Sequence, residues 1–167
     1  MTDDDFFELL GLTRRWPVDR AQLERSYLER SREAHPDSFV SKGAAAQRAA
    51  LERSSRLNAA YRVLRDPILR AEYLVRLGGV DLDSNDPQLA PPTPSQSFLI
   101  QMIELRERLS EEGSAEVRDE IEARADQAFD EAVAAIARND IATAARELVA
   151  RRYYQRFLDE VDAAEAR

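Results

Sequence analysis

Proline decides which stretches of this 167-residue chain fold as uninterrupted helix, because all seven prolines lie at or before position 94. A proline inside a helix removes an N–H donor and clashes with the preceding turn. Each one therefore marks a boundary, and a proline-free tract with apolar residues at 3.6-residue spacing is read as helix. Pro36 separates two arginine-rich helical patterns, Pro67 ends a third, and Pro87, Pro91, Pro92 and Pro94 crowd the stretch from Asp81 to Ser95. That stretch reads as a stiff, extended linker. Beyond it three amphipathic helices are expected, near Ser95 to Glu112, Ala115 to Arg138 and Ile141 to Ala164. The breaks at Gly113 and Asn139-Asp140 are short enough to make the helices antiparallel neighbours.

Ahead of the linker the elements are shorter. Asp5-Phe6-Phe7-Glu8-Leu9-Leu10-Gly11 reads as an acid-capped helix with Phe6, Leu9 and Leu10 inward and Gly11 as its stop. Asp19 is placed to cap a second helix, about Arg20 to Ala34, with Leu23 and Tyr27 on one face. A third, Ala44 to Arg65, carries Leu57, Tyr61 and Leu64, and a short fourth, with Ile68, Ala71, Tyr73, Leu74 and Leu77, runs to Gly78-Gly79. Between the second and third, Phe39 and Val40 are expected to tuck under the connecting loop. The expectation is an all-α chain: a helical hairpin in residues 1–76, a linker in 77–95, and a three-helix bundle in 96–167.

His35 is the single histidine, and Pro36 pushes it out of the α region onto the corner between two helices, beside Asp37. On its own the tripeptide reads equally as a helix terminator, with a histidine near the helix dipole and an aspartate opening a turn, or as a contact for a partner. Composition narrows the choice. There are no cysteines, so disulfides and cysteine nucleophiles are excluded, and with one histidine a zinc site would need carboxylates, which is unusual. No cofactor and no metal are expected. Carboxylates such as Glu104 and Glu107 lack the Glu-x-x-His partners of a metal-binding bundle. No apolar run approaches the roughly 20 residues of a membrane span, and the acidic start argues against a targeting segment. A cytoplasmic protein without membrane contact is expected. Residues 1–76 hold 14 basic and 12 acidic side chains, +2, and residues 77–167 hold 10 and 20, −10. Opposite signs suggest two jobs, and an acidic chain is a poor match for nucleic acid.

Three segments together carry a family resemblance. His35-Pro36-Asp37, followed by an alanine-rich helix containing Asn58-Ala59-Ala60-Tyr61-Arg62-Val63-Leu64, resembles a J-domain. Asp66-Pro67-Ile68-Leu69-Arg70-Ala71-Glu72-Tyr73-Leu74 is similar to the corresponding segment of the HscB family of iron–sulfur co-chaperones. Ser97 to Glu107 and Arg156-Phe157-Leu158-Asp159 are similar to that family's scaffold-binding helices. The resemblance runs along nearly the whole chain, and it implies a J-domain followed by a C-terminal three-helix bundle.

It also implies function. The J-domain would dock on a heat-shock chaperone ATPase of the HscA or DnaK type and stimulate it, with His35, Pro36 and Asp37 as the required contact and Arg25, Arg30 and Arg32 as a basic docking face. The bundle would bind an IscU-type iron–sulfur scaffold through Leu99, Ile100, Ile103 and Phe157, with Glu104, Arg106 and Glu107 as the polar surround. The protein would have no catalytic site of its own and would be a monomer or weak dimer. A J-protein serving another client shares every expectation for the His35 corner. Two positions depart from the usual J-domain pattern: Ala34 stands where an aromatic residue precedes the histidine, and Ser38 where a lysine follows the aspartate. The cysteine pairs of some eukaryotic relatives are missing, which favours a bacterial-type protein.

Overall fold

A computed structural model of the chain describes residues 5–112 and 114–165, and all of their regular elements are helical. In order these are α1 (Phe6–Leu9), α2 (Arg20–Glu33), a 3-10 turn (Pro36–Lys42), α3 (Ala44–Arg65), α4 (Pro67–Leu77), α5 (Gln96–Glu112), α6 (Ser114–Ala137) and α7 (Ile141–Glu165). The expected break at Gly113 and the side chain of Val40 lie outside the described residues. The chain forms two compact units that divide between Tyr73 and Leu74.

In the first unit Asp5 is the joint. Its carboxylate is buried, accepts the Phe7 N–H at 2.9 Å as the cap of α1, and pairs with Arg14 at 2.7 Å. The Tyr73 hydroxyl donates to it at 3.3 Å and accepts the Phe6 N–H at 2.8 Å, so one acid ties the first turn of the chain to α4. The core is Phe7, Leu10, Leu23, Leu57, Ala60, Leu64 and Ala71. Phe7, not Phe6, fills it; Phe6 instead stacks on Tyr73, ring centroids 4.7 Å apart. In a four-residue helix one residue's rotation decides which phenylalanine points inward, and periodicity over so few positions cannot fix it. Asp19 caps α2 through the Gln22 N–H at 3.0 Å, and that bond holds its carboxyl below the usual range. Arg70, also buried, reaches from α4 to the Leu64 carbonyl at 2.8 Å and lies 4.6 Å from the Trp16 ring, closing the end of α3.

In the second unit α4 ends where Gly79, at φ 98°, lets the Val80 N–H reach the Val75 carbonyl. Gly78 lies under Ile141: a Cβ there would stand 2.7 Å from that side chain, so only glycine fits. The proline-rich stretch is not an extended spacer. The Asp81 N–H meets the Leu89 carbonyl at 2.7 Å, and Arg152 of α7 grips the loop through Asp83 at 2.7 Å and the Leu82 carbonyl at 3.3 Å. Repeated Asp and Ser side chains accept N–H groups two residues on, at Asp81, Ser84 and Asp86, and these local bonds bend the chain against the stiffness of its prolines. Asn139, at φ 59°, ends α6, with the Asp140 N–H on the Ala135 carbonyl, and Asp140 then caps α7 through the Thr143 N–H. Buried alanines on both helices, among them Ala132, Ala135, Ala144 and Ala145, let α6 and α7 pack along their length.

Met102, Leu105, Val117, Ile121, Tyr154, Phe157, Leu158 and Val161 form the bundle core, with Phe98 and Leu109 packed against it. Phe157 is 2% exposed. That corrects its expected place in an exposed patch. Its ring lies inward from α7, under the Arg106 guanidinium at 5.3 Å.

Two stability tests follow from these joints. Asp5→Ala removes a cap and takes one partner each from the Tyr73 hydroxyl and Arg14, and should cost about 2 kcal/mol in urea denaturation. Phe157→Ala leaves a core cavity and should lower the stability of the C-terminal unit by about 3–5 kcal/mol. A Phe157→Ala protein that melts like wild type would show that the ring is not core.

Candidate partner-binding surfaces

The first surface is the corner after α2. Pro36 occupies the first position of the 3-10 turn, so α2 stops at Glu33, Ala34 caps it from a buried position, and His35 is extended at φ −63°, ψ 127°. The histidine then caps the turn: its Nδ1 accepts the Asp37 N–H at 3.3 Å, and its carbonyl accepts the Ser38 N–H at 3.0 Å. Because Nδ1 serves as acceptor, the neutral ring carries its proton on Nε2, which is left as a donor. The Asp37 carboxylate is 3.6 Å from Nδ1, beyond hydrogen-bond range. Side-chain exposures of 59% for His35 and 88% for Asp37 leave both available. The ring of Pro36 lies outside the described side chains.

The three arginines of the expected basic face do not act as one. Positions 25 and 32 are seven residues apart and share the outward side of α2, where both are exposed. Arg30 falls on another side and is half-buried, its guanidinium against Gly11 at the end of α1. Arg30 and the edge of Arg25 line a polar recess of about 430 Å³ with Ser26, Glu29 and Glu33, so both have acids beside them, and what sets Arg30 apart is its burial against Gly11. The outward face gains a residue that the charge pattern hid: Leu28 is exposed between Arg25 and Arg32. The signal was present in the sequence, since Leu28 falls off the inward stripe of Leu23, Tyr27 and Ala34.

The second surface is on α5. Phe98, Met102, Leu105 and Leu109 face the core. Leu99, Ile100 and Ile103 stand on the opposite side with exposures of 39%, 48% and 57%. Phe98 sets the rotation of the helix by meeting Tyr153 and Tyr154 of α7 edge-on, centroids 5.6 and 5.5 Å away. A largely apolar groove of about 440 Å³ runs between α5 and α7, lined by Leu99, Met102, Ile103, Tyr153, Arg156 and Glu160. Arg106 bridges it by pairing with Glu160 at 2.7 Å. Glu104 and Glu107 are exposed on the outward side of α5, away from the groove. The structure thus brings six of the seven expected residues onto one face or its edge and puts the seventh, Phe157, beneath Arg106. Tyr153, Arg156 and Glu160 complete the groove; they come from α7, and only the packing of two helices assembles them with α5.

Among the described residues, no helix is long and apolar enough to cross a membrane. None of their acidic and histidine side chains form a group able to hold a metal ion.

Both surfaces fall within recognised families. The DnaJ domain matches residues 5–73, and the HSCB C-terminal oligomerisation domain matches residues 94–162. The chain is 39% identical to the co-chaperone protein HscB homolog of Cupriavidus taiwanensis over 120 residues, 72% of this chain and 66% of that protein. It is 36% identical to that of Burkholderia thailandensis over 135 residues, 81% of this chain and 75% of that protein. The matched stretches therefore span about two thirds and three quarters of these relatives. The crystal structure of human co-chaperone protein HscB is similar with a TM-score of 0.75 at 25% identity, covering 99% of this chain and 84% of that one. With a J-domain ahead of the helical domain that defines its relatives, the chain belongs to the HscB family of co-chaperones.

Proposed function

We propose that this protein is a cytoplasmic co-chaperone of iron–sulfur cluster assembly. Residues 1–76 dock on a heat-shock chaperone ATPase of the HscA or DnaK type and stimulate its ATP hydrolysis, and residues 96–167 hold an IscU-type scaffold protein for it. The observation that carries this reading is the His35 corner. A proline-fixed turn exposes an imidazole and a carboxylate on one ledge, where a partner meets both at little cost in loop ordering. Arg25 and Arg32 beside Leu28 supply charge to steer an acidic partner and an apolar contact to hold it. A docked ligand shifts a conformational equilibrium only by binding one state better than another. The ledge acts on the ATPase by fitting one nucleotide state, and the protein needs no catalytic group of its own.

On the bundle, Leu99, Ile100 and Ile103 form the client surface, and Glu104, Arg106 and Glu107 orient the client. Phe157 belongs to this surface as support: it holds the Arg106 guanidinium from below.

His35→Gln should abolish stimulation of the chaperone ATPase and lower the melting temperature little, since the ring is exposed and only its long cap on the turn is altered; a variant that still stimulates removes the corner from the mechanism. Leu99→Ala with Ile103→Ala should weaken scaffold binding about tenfold or more in calorimetric titration while circular dichroism and stimulation without scaffold are retained. A wild-type protein that binds no scaffold would point to a J-protein serving a different client.

A further inference from the structure

The chain holds 23 arginines and a single lysine, Lys42. That one residue is the last of the 3-10 turn that begins at Pro36, and it is the only cation among the turn's seven residues. Ser38, directly after Asp37, contributes no charge. The Lys42 side chain is exposed, and its Nζ lies over the Phe39 ring, 4.6 Å from the centroid. Residues three apart eclipse one another in a 3-10 helix, so the backbone itself sets the ammonium over the ring. Phe39 is half-buried, and the ammonium covers it from the solvent side. An exposed cation–π pair of this kind contributes modestly to order.

Guanidinium groups stay protonated and are not acylated under conditions that acylate amines. Any amine-directed acylation of the side chains of this protein therefore has one address, and that address is in the turn that carries Asp37. We propose that Lys42 is an acylation site through which an activated acyl donor, such as an acyl phosphate, tunes the docking corner. The neutral Nζ attacks the acyl carbon; the C–N bond forms as the C–O bond to phosphate breaks, phosphate leaves with the electron pair, and the amine proton passes to solvent. The product amide has no charge and no attraction to the Phe39 ring. The turn loses its clip and its one cation. The effect on docking rests on the function proposed above, whereas the modification and the loosening of the turn do not.

The test treats the purified protein with acetyl phosphate, removes the reagent, and locates the added acetyl groups by peptide mass mapping. Side-chain acetylation should be confined to Lys42, and the amides of residues 37–42 should exchange with deuterium faster than in untreated protein. The concentration giving half-maximal stimulation of the chaperone ATPase should rise roughly two- to fivefold. Lys42→Arg treated in the same way keeps its cation and should show no such rise, which separates Lys42 from the terminal amine. An unmodified Lys42, or a modified one with unchanged exchange and unchanged half-saturation, overturns the proposal. Untreated protein that fails to stimulate overturns the docking function, and the mass and exchange measurements then still decide whether Lys42 is acylated and orders the turn.

Discussion

The missing N–H of Pro36 is the constraint on which the N-terminal surface depends. A donor at that position would let α2 run on through the corner, and His35 would become one more residue on an arginine-rich helix. Instead α2 ends at Glu33, and His35 adopts an extended backbone and caps a new turn with its own ring nitrogen. The His35 and Asp37 pair is thus fixed by backbone chemistry rather than by side-chain packing, which allows it to be exposed and ordered together. Ala34 is buried at the joint, so the reversal is anchored to the core even without an aromatic residue before the histidine.

The C-terminal surface arises from the opposite circumstance, an excess. α5 carries more apolar side chains than one buried face accommodates, and two aromatic contacts from Phe98 to α7 decide which of them face inward. Once Phe98, Met102, Leu105 and Leu109 are committed to the core, helical periodicity places Leu99, Ile100 and Ile103 in solvent. Contiguous exposed aliphatic groups of this kind mark interaction sites.

Much of this was legible in the sequence for identifiable reasons. Helix ends rest on local chemistry, so Gly11, Asp19, Pro67, Gly79 and Asn139 could be read where they stand. The division of α5 into two faces follows from counting apolar positions. What could not be read depends on rotation or on contacts distant in sequence. Phe157 reads as part of an exposed patch, yet the rotation of α7 turns it inward and leaves Arg106 above it. Arg30 reads as one of three equivalent arginines until α1 closes against it. The proline-rich stretch reads as extended until Arg152, 69 residues from Asp83, holds it folded.

The two surfaces use different physics. The corner offers Arg25, Arg32, Asp37 and Lys42 in exposed positions, where charge acts over roughly 8–10 Å and is screened by salt. On the bundle four arginines are engaged at home: Arg106 with Glu160, Arg108 and Arg124 with Glu120, and Arg118 with Glu122 and Asp162. The pairing holds the Glu120 carboxyl below its usual range, chiefly through Arg108 and then Arg124, so this strap between α5 and α6 is at full strength above the carboxylate range and weakens as the pH falls through it. Charges already paired between helices act on a partner at short range, as orienting contacts, more than as a long-range field. What α5 offers is the burial of three aliphatic side chains, which salt does not weaken. If the two surfaces take the two partners proposed for them, conditions that loosen the charged contact leave the apolar one in place.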